Sequence, residues 1–123
     1  LEDRTLTIFG DGLQVRDFNY VDDVVEALLM VAANEAADGQ IYNLGSDDPI
    51  NLLNLARLLI EVNQGGAFEL LSFPAERKRI DIGDYYGDYR RIRSKLGWRP
   101  LVGLRDGLTR TMDYFRENLE HYV

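Results

Sequence analysis

The stretch Arg16-Asp17-Phe18-Asn19-Tyr20-Val21-Asp22-Asp23-Val24-Val25-Glu26-Ala27-Leu28-Leu29 changes period in its middle. Up to Tyr20 the pattern is extended. Arg16, Phe18 and Tyr20 share one face, and Asp17 and Asn19 the other. From Val21 the spacing becomes helical, with Val21, Val24, Val25, Leu28, Leu29 and Ala32 on one stripe that reads as core. Asp22 and Asp23 fall in the first turn, where carboxylates suit the positive end of a helix dipole. A strand running straight into a helix sets the class as mixed α/β.

The same reading extends outward. Leu6-Thr7-Ile8-Phe9 is short and β-rich, and Gly10-Asp11-Gly12 ends it as a turn. Gln40 to Leu44 and Ala67 to Phe73 read as further strands. Asn51 is placed to cap a second helix reaching Asn63, with Leu52, Leu55, Ala56, Leu59 and Val62 inward and Gly65-Gly66 as its stop. A third helix follows Asp88 as its cap, with Tyr89, Ile92 and Leu96 on one face and Gly97 at its end. A fourth runs from about Leu104 to Tyr122. The expected fold is a small mixed α/β domain of short strands and about four helices, too few strands for a full doubly wound sheet. Ala75 to Gly87 has no clean period, and a polar loop of that length is uncommon unless it serves a function.

Composition narrows the chemistry. The 123 residues carry 14 basic and 21 acidic side chains, a formal charge of −7, so a general polyanion-binding role is disfavoured. Neither nucleic acid nor a membrane is an expected partner; the cations Arg90, Arg91, Arg93 and Lys95 read as an exposed helix face. Cysteine is absent and His121 is the one histidine. Disulfides, thiolate metal centres and cysteine nucleophiles are thereby excluded, and no metal site is expected. No apolar run approaches the ~18 residues of a membrane span. The chain opens on Leu1 rather than Met, and we read it as one domain, residues 1–123, cut from a longer protein.

Two usual phosphate cradles, G-x-G-x-x-G between strand and helix and G-x-x-x-x-G-K-[ST], do not occur, nor does a Tyr-x-x-x-Lys pair. The residues by themselves show no cofactor site and no complete catalytic constellation.

Several segments in order do carry a resemblance: Leu6 to Gly12, Gln14, Arg16-Asp17-Phe18, Tyr20 to Val24, Ile41-Tyr42-Asn43-Leu44-Gly45, Lys95-Leu96-Gly97-Trp98-Arg99-Pro100, and Leu104 to Thr111. Together they resemble the C-terminal half of the extended short-chain dehydrogenase/reductases, the NAD-dependent epimerases, dehydratases and decarboxylases of nucleotide sugars. The resemblance implies a cytoplasmic parent enzyme, UDP-glucose 4-epimerase-like, whose N-terminal Rossmann half holds NAD and supplies the Tyr-x-x-x-Lys pair. This chain would be the substrate-binding half, inactive alone, with no catalytic residue and no bound cofactor. Dehydratase, decarboxylase and reductase outcomes stay open within the family. A non-catalytic binding module of the same shape stays open outside it.

Site residues follow from the resemblance. Arg16 would grip the substrate diphosphate with its planar fork of donors. Asn43 would donate to phosphate or hold its turn. Lys78 and Asp81 match the family's phosphate-binding arginine and, three residues on, its ribose-binding acid. Lys stands here where Arg is usual, and a shift of one residue would give the role to Arg77 or Arg79. Tyr85, or its neighbour Tyr86, would limit the sugar pocket, and Gln14 is a further contact. The resemblance leaves a homodimer open. It also implies that without the Rossmann half an apolar surface is uncovered.

Overall fold

A computed structural model describes residues 5–122. The opening Leu1-Glu2-Asp3-Arg4 lies outside the described residues. Strand β1 (Leu6–Phe9) leads through the Gly10-Asp11-Gly12 turn into β2 (Val15–Arg16) and helix α1 (Val21–Ala32). Then come β3 (Ile50–Asn51), α2 (Leu52–Asn63), β4 (Phe68–Leu71) and a single turn, α3 (Ala75–Lys78). Helices α4 (Arg90–Leu96) and α5 (Leu104–Asn118) complete the chain, with short 3-10 turns at Glu35–Ala37 and Leu119–His121. The class is mixed α/β, as expected.

Two small sheets organise these elements. β1 and β4 pair in parallel, Leu6 opposite Phe68 through Phe9 opposite Leu71. β2 and β3 pair antiparallel, Val15 with Asn51 and Arg16 with Ile50. The β3 pairing delivers the chain to α2. There Asn51 caps the helix as expected, its Oδ1 accepting from the Asn54 N–H at 2.8 Å. The next free donors also find partners, since Leu52 N–H bonds to Gln14 O and Leu53 N–H to Gly12 O. Satisfying these orphan donors locks the 12–14 turn onto the start of α2.

The core departs from the helical stripe expected on α1. Ala27 is buried with Ile92 and Trp98, and Met30, Val31, Tyr42 and Leu44 pack around them. Leu28 and Leu29, expected inside, are 64% and 61% exposed, and Val21 and Val25 are exposed beside them. The side of α1 that goes inward instead carries Asp23, which is 5% exposed. Its carboxylate accepts from the Leu101 and Val102 N–H groups at 3.1 and 3.0 Å. A buried acid is tolerated when its lone pairs are filled in this way.

Four further local expectations are corrected. Gln40 to Leu44 is not a strand. No neighbouring strand pairs with it, and its Ile41 carbonyl accepts from the Arg91 side chain instead. The Ala75–Gly87 stretch is not wholly irregular, because Pro74 leads into the single turn α3. Helix α2 closes on Gln64, in the left-handed region at φ 58°, one residue before the glycines. Helix α4 begins one residue later than expected, at Arg90, although Asp88 still accepts from the Arg90 N–H at 3.0 Å. Among the described residues, no helix is long and apolar enough to cross a membrane.

Candidate functional site

A cavity of about 380 Å³ opens between β1, α2 and the polar loop. Leu52, Leu55 and Leu59 of α2 give it an apolar floor, and β1 forms one wall. Phe9 and Phe73 stand at one end, their ring centroids 6.0 Å apart. Gln14, Arg16 and Asp81 bring polar groups to the lining. The arrangement, apolar walls with a few convergent polar groups, is the usual form of a small-molecule site.

Arg16 is held by the polar loop. Its Nη1 donates to the Val15 carbonyl at 2.7 Å and to the Gly83 carbonyl. Its Nη2 lies 3.6 Å from the Asp81 carboxylate. The loop in turn lies along β2: Tyr85 N–H donates to Val15 O at 3.0 Å, and Val15 N–H to the Asp84 carboxylate at 2.8 Å. Residues 65 and 67 positions away in sequence, Asp81 and Gly83, thus fix the guanidinium at the cavity edge.

The sequence-predicted residues divide. Arg16, Gln14 and Asp81 meet at the cavity. Tyr85 pairs with β2 through its backbone, while its side chain is exposed and does not line the cavity. Asn43 is exposed on the segment after Gln40, and Lys78 is exposed on α3; neither lines the cavity. Arg77 does not line the cavity either, but its guanidinium lies 5.0 Å above the ring of Phe9, which does. A cation over an aromatic face is favourable by about 0.5–1 kcal/mol when exposed. Phe9 and Phe73 are not among the predicted site residues. Their place at the ends of the two strand-forming stretches is the one sequence signal that could have found them.

Charge elsewhere is arranged for structure. Tyr89 donates to Asp47 at 2.5 Å, and that carboxylate holds the phenol above its ordinary range. The Arg90 side chain holds the Asp88 carboxyl down to about 2. Among the described residues, no three His, Cys, Asp or Glu side chains converge as a metal site would require.

The Gly10-Asp11-Gly12 turn does not fit a dinucleotide. A Cβ on Gly12 would meet Ile8 Cγ2 at 3.0 Å and Leu53 Cβ at 3.2 Å. The space beside that glycine is filled by this protein's own side chains.

Comparison with known proteins agrees with this anatomy. The profile of the NAD dependent epimerase/dehydratase family matches residues 1–45. The chain is 35% identical over 125 residues to UDP-glucuronic acid decarboxylase 1 of Xenopus tropicalis, covering 98% of this chain and 28% of that protein. It is 36% identical over 124 residues to the dTDP-D-glucose 4,6-dehydratase of Bos taurus, covering 97% and 34%. Among solved structures, the UDP-glucose 4-epimerase of Thermotoga maritima, crystallised with UDP-glucose, superposes with a TM-score of 0.80 at 33% identity, covering 95% of this chain and 36% of that one. The chain spans about a third of the length of the relatives it matches. Across nearly all of its length the chain is similar in sequence and fold to one part of the NAD-dependent epimerases, dehydratases and decarboxylases of nucleotide sugars.

Proposed function

We propose that this chain is the C-terminal, nucleotide-sugar-binding portion of an NAD-dependent epimerase or dehydratase, and that the cavity beside Arg16 receives the nucleoside diphosphate. The observation that carries this reading is the convergence of Arg16, Gln14 and Asp81 on one apolar-floored cavity. Arg16 supplies a planar donor fork to the phosphates. Asp81 is the acceptor for ribose hydroxyls. The apolar floor and the Phe9–Phe73 end suit a flat base. Arg77 takes the second phosphate contact in preference to Lys78, because its guanidinium packs on Phe9, a lining residue of the cavity.

Within the family we favour a UDP-glucose 4-epimerase-like parent. The likeness to the Thermotoga enzyme crystallised with UDP-glucose supports it; the decarboxylase and dehydratase relatives support the other two outcomes. NAD, when bound by the parent, supplies reversible hydride transfer at a sugar carbon. The catalytic pair and the cofactor site belong to the N-terminal half of that parent, and this chain by itself turns nothing over. Its exposed stripe of Val21, Val25, Leu28 and Leu29 is the surface we assign to contact with that half. Such an apolar patch on a helix asks for cover.

The test is a two-dimensional NMR titration of the labelled protein with UDP and UDP-glucose, with nicotinamide mononucleotide and NAD as controls. The reading expects amide shifts clustered at Gln14, Arg16 and residues 81–85 with the uridine compounds only. Equal shifts with the nicotinamide compounds, or shifts confined to other surfaces, would overturn it.

A further inference from the structure

Arg16 is bracketed by two residues that each fasten the polar loop. On one side Val15 bonds to Asp84 and Tyr85. On the other side stands Asp17. Its Oδ2 accepts from the Gly87 N–H at 2.9 Å and from the Ser46 N–H at 3.3 Å. One carboxylate oxygen therefore joins three segments: the strand end that carries Arg16, the turn that follows Asn43, and the exit of the loop that carries Asp81. Asn19, two residues on and on the same face of an extended chain, reinforces the junction by donating to the Gly45 carbonyl at 2.7 Å.

The junction is closed to side chains. A Cβ on Gly45 would run into the Gly87 carbonyl and come within 3.1 Å of Asp17 Oδ2, and one on Gly87 would run into the Leu44 carbonyl. The two backbones cross at contact distance because both crossing residues are glycine. Asp17 is half-buried there, where hydrogen bonds to an ionised acceptor are strong.

We infer that Asp17 is a positioning residue for the diphosphate site: it anchors the loop exit at Gly87, so that Gly83 and Asp81 hold the Arg16 guanidinium at the cavity. This rests on the proposed nucleotide site. Alternation along the extended chain puts Asp17 and Arg16 on opposite faces, so Asp17 touches no ligand in the cavity and acts through the loop.

Asp17→Asn, which keeps the shape but removes the charge, and Gly87→Ala, which keeps the carboxylate but obstructs the crossing, are to be compared with wild type in the whole chain. Two quantities are read: hydrogen exchange at the Tyr85 amide and the dissociation constant for UDP. Both variants should exchange Tyr85 about tenfold faster and bind UDP about tenfold more weakly, the equivalent of one lost charge-assisted hydrogen bond. Added to Arg16→Ala, either change should cost no further affinity, because its effect runs through Arg16. A variant that binds UDP as wild type does, or that loses affinity additively with Arg16→Ala, overturns the inference. Unchanged Tyr85 exchange overturns it as well. Wild type that fails to bind UDP at all overturns instead the site on which it rests.

Discussion

The Trp98 indole N–H donates to the main-chain carbonyl of Asp23 at 2.9 Å, while the Asp23 carboxylate accepts from the N–H groups of Leu101 and Val102, just beyond Pro100. The acid at the start of α1 and the linker before α5 are therefore stitched together by three hydrogen bonds around one buried side chain. Asp23→Ala should leave two half-buried donors without their acceptor and cost about 1–3 kcal/mol. Asp23→Asn, which can still accept, should cost less. Urea denaturation of both variants measures the difference.

Arg16 carries the next prediction. Arg16→Lys keeps the charge but loses the planar fork, and should weaken UDP binding by about tenfold. Arg16→Ala should weaken it more. Isothermal titration against wild type distinguishes a phosphate contact from a surface ion pair, for which neither change would alter affinity.

Asp81 faces Arg16 at 3.6 Å, and both side chains are about three-quarters covered. An anion entering the cavity competes with that carboxylate. Asp81→Asn should therefore raise affinity for inorganic pyrophosphate by a few-fold, within the ~1 kcal/mol that such a pair is worth. The same change should lower affinity for UDP relative to pyrophosphate, because a ribose acceptor is lost. A titration with each ligand reads the two effects separately.

Asp88 predicts an acid limb. Its carboxyl is held at about 2 by Arg90, below the ordinary 3.8. The stability it lends is complete above the ordinary value and is lost as pH falls through the folded one. Asp88→Asn should thus lower Tm slightly from about pH 5 to 7, with the gap to wild type closing between about pH 4 and 2. The effect is small because the pair is exposed.

The stripe on α1 predicts self-association. Leu28→Lys with Leu29→Lys should change the unfolding free energy by no more than about 0.5 kcal/mol per site, since both side chains are exposed. Wild type should associate as concentration rises, and the same pair should reduce that association, both read by analytical ultracentrifugation.

What is legible in the sequence is mostly local. The Asn51 cap, the start of α1 and the span of α2 depend on neighbours a few residues away, and they match the structure. Which face of α1 is buried depends on Trp98 and Ile92, far along the chain, and periodicity points to the wrong one. Gln40 to Leu44 has strand-like composition but no strand beside it. In the site, Arg16, Gln14 and Asp81 are legible through family likeness. Which of the three adjacent cations meets Phe9 is decided by the turn α3, which brings Arg77 over that ring. The roles of Asp17 and Asp84 rest on contacts across about 70 residues and leave no local trace.

The parallel pairing of β1 with β4 has a consequence in time. Thr7 and Glu69, opposite one another in that ribbon, are 62 residues apart. On a ribosome adding about 5–20 residues per second, β1 waits roughly 3–12 seconds for its partner strand to be made. Until then β1 lacks its partner strand, although α2, which precedes β4 in the chain, is made a few residues earlier. The cavity is consequently a late product of synthesis, and the nascent chain must keep Leu6-Thr7-Ile8-Phe9 from other company in the interval.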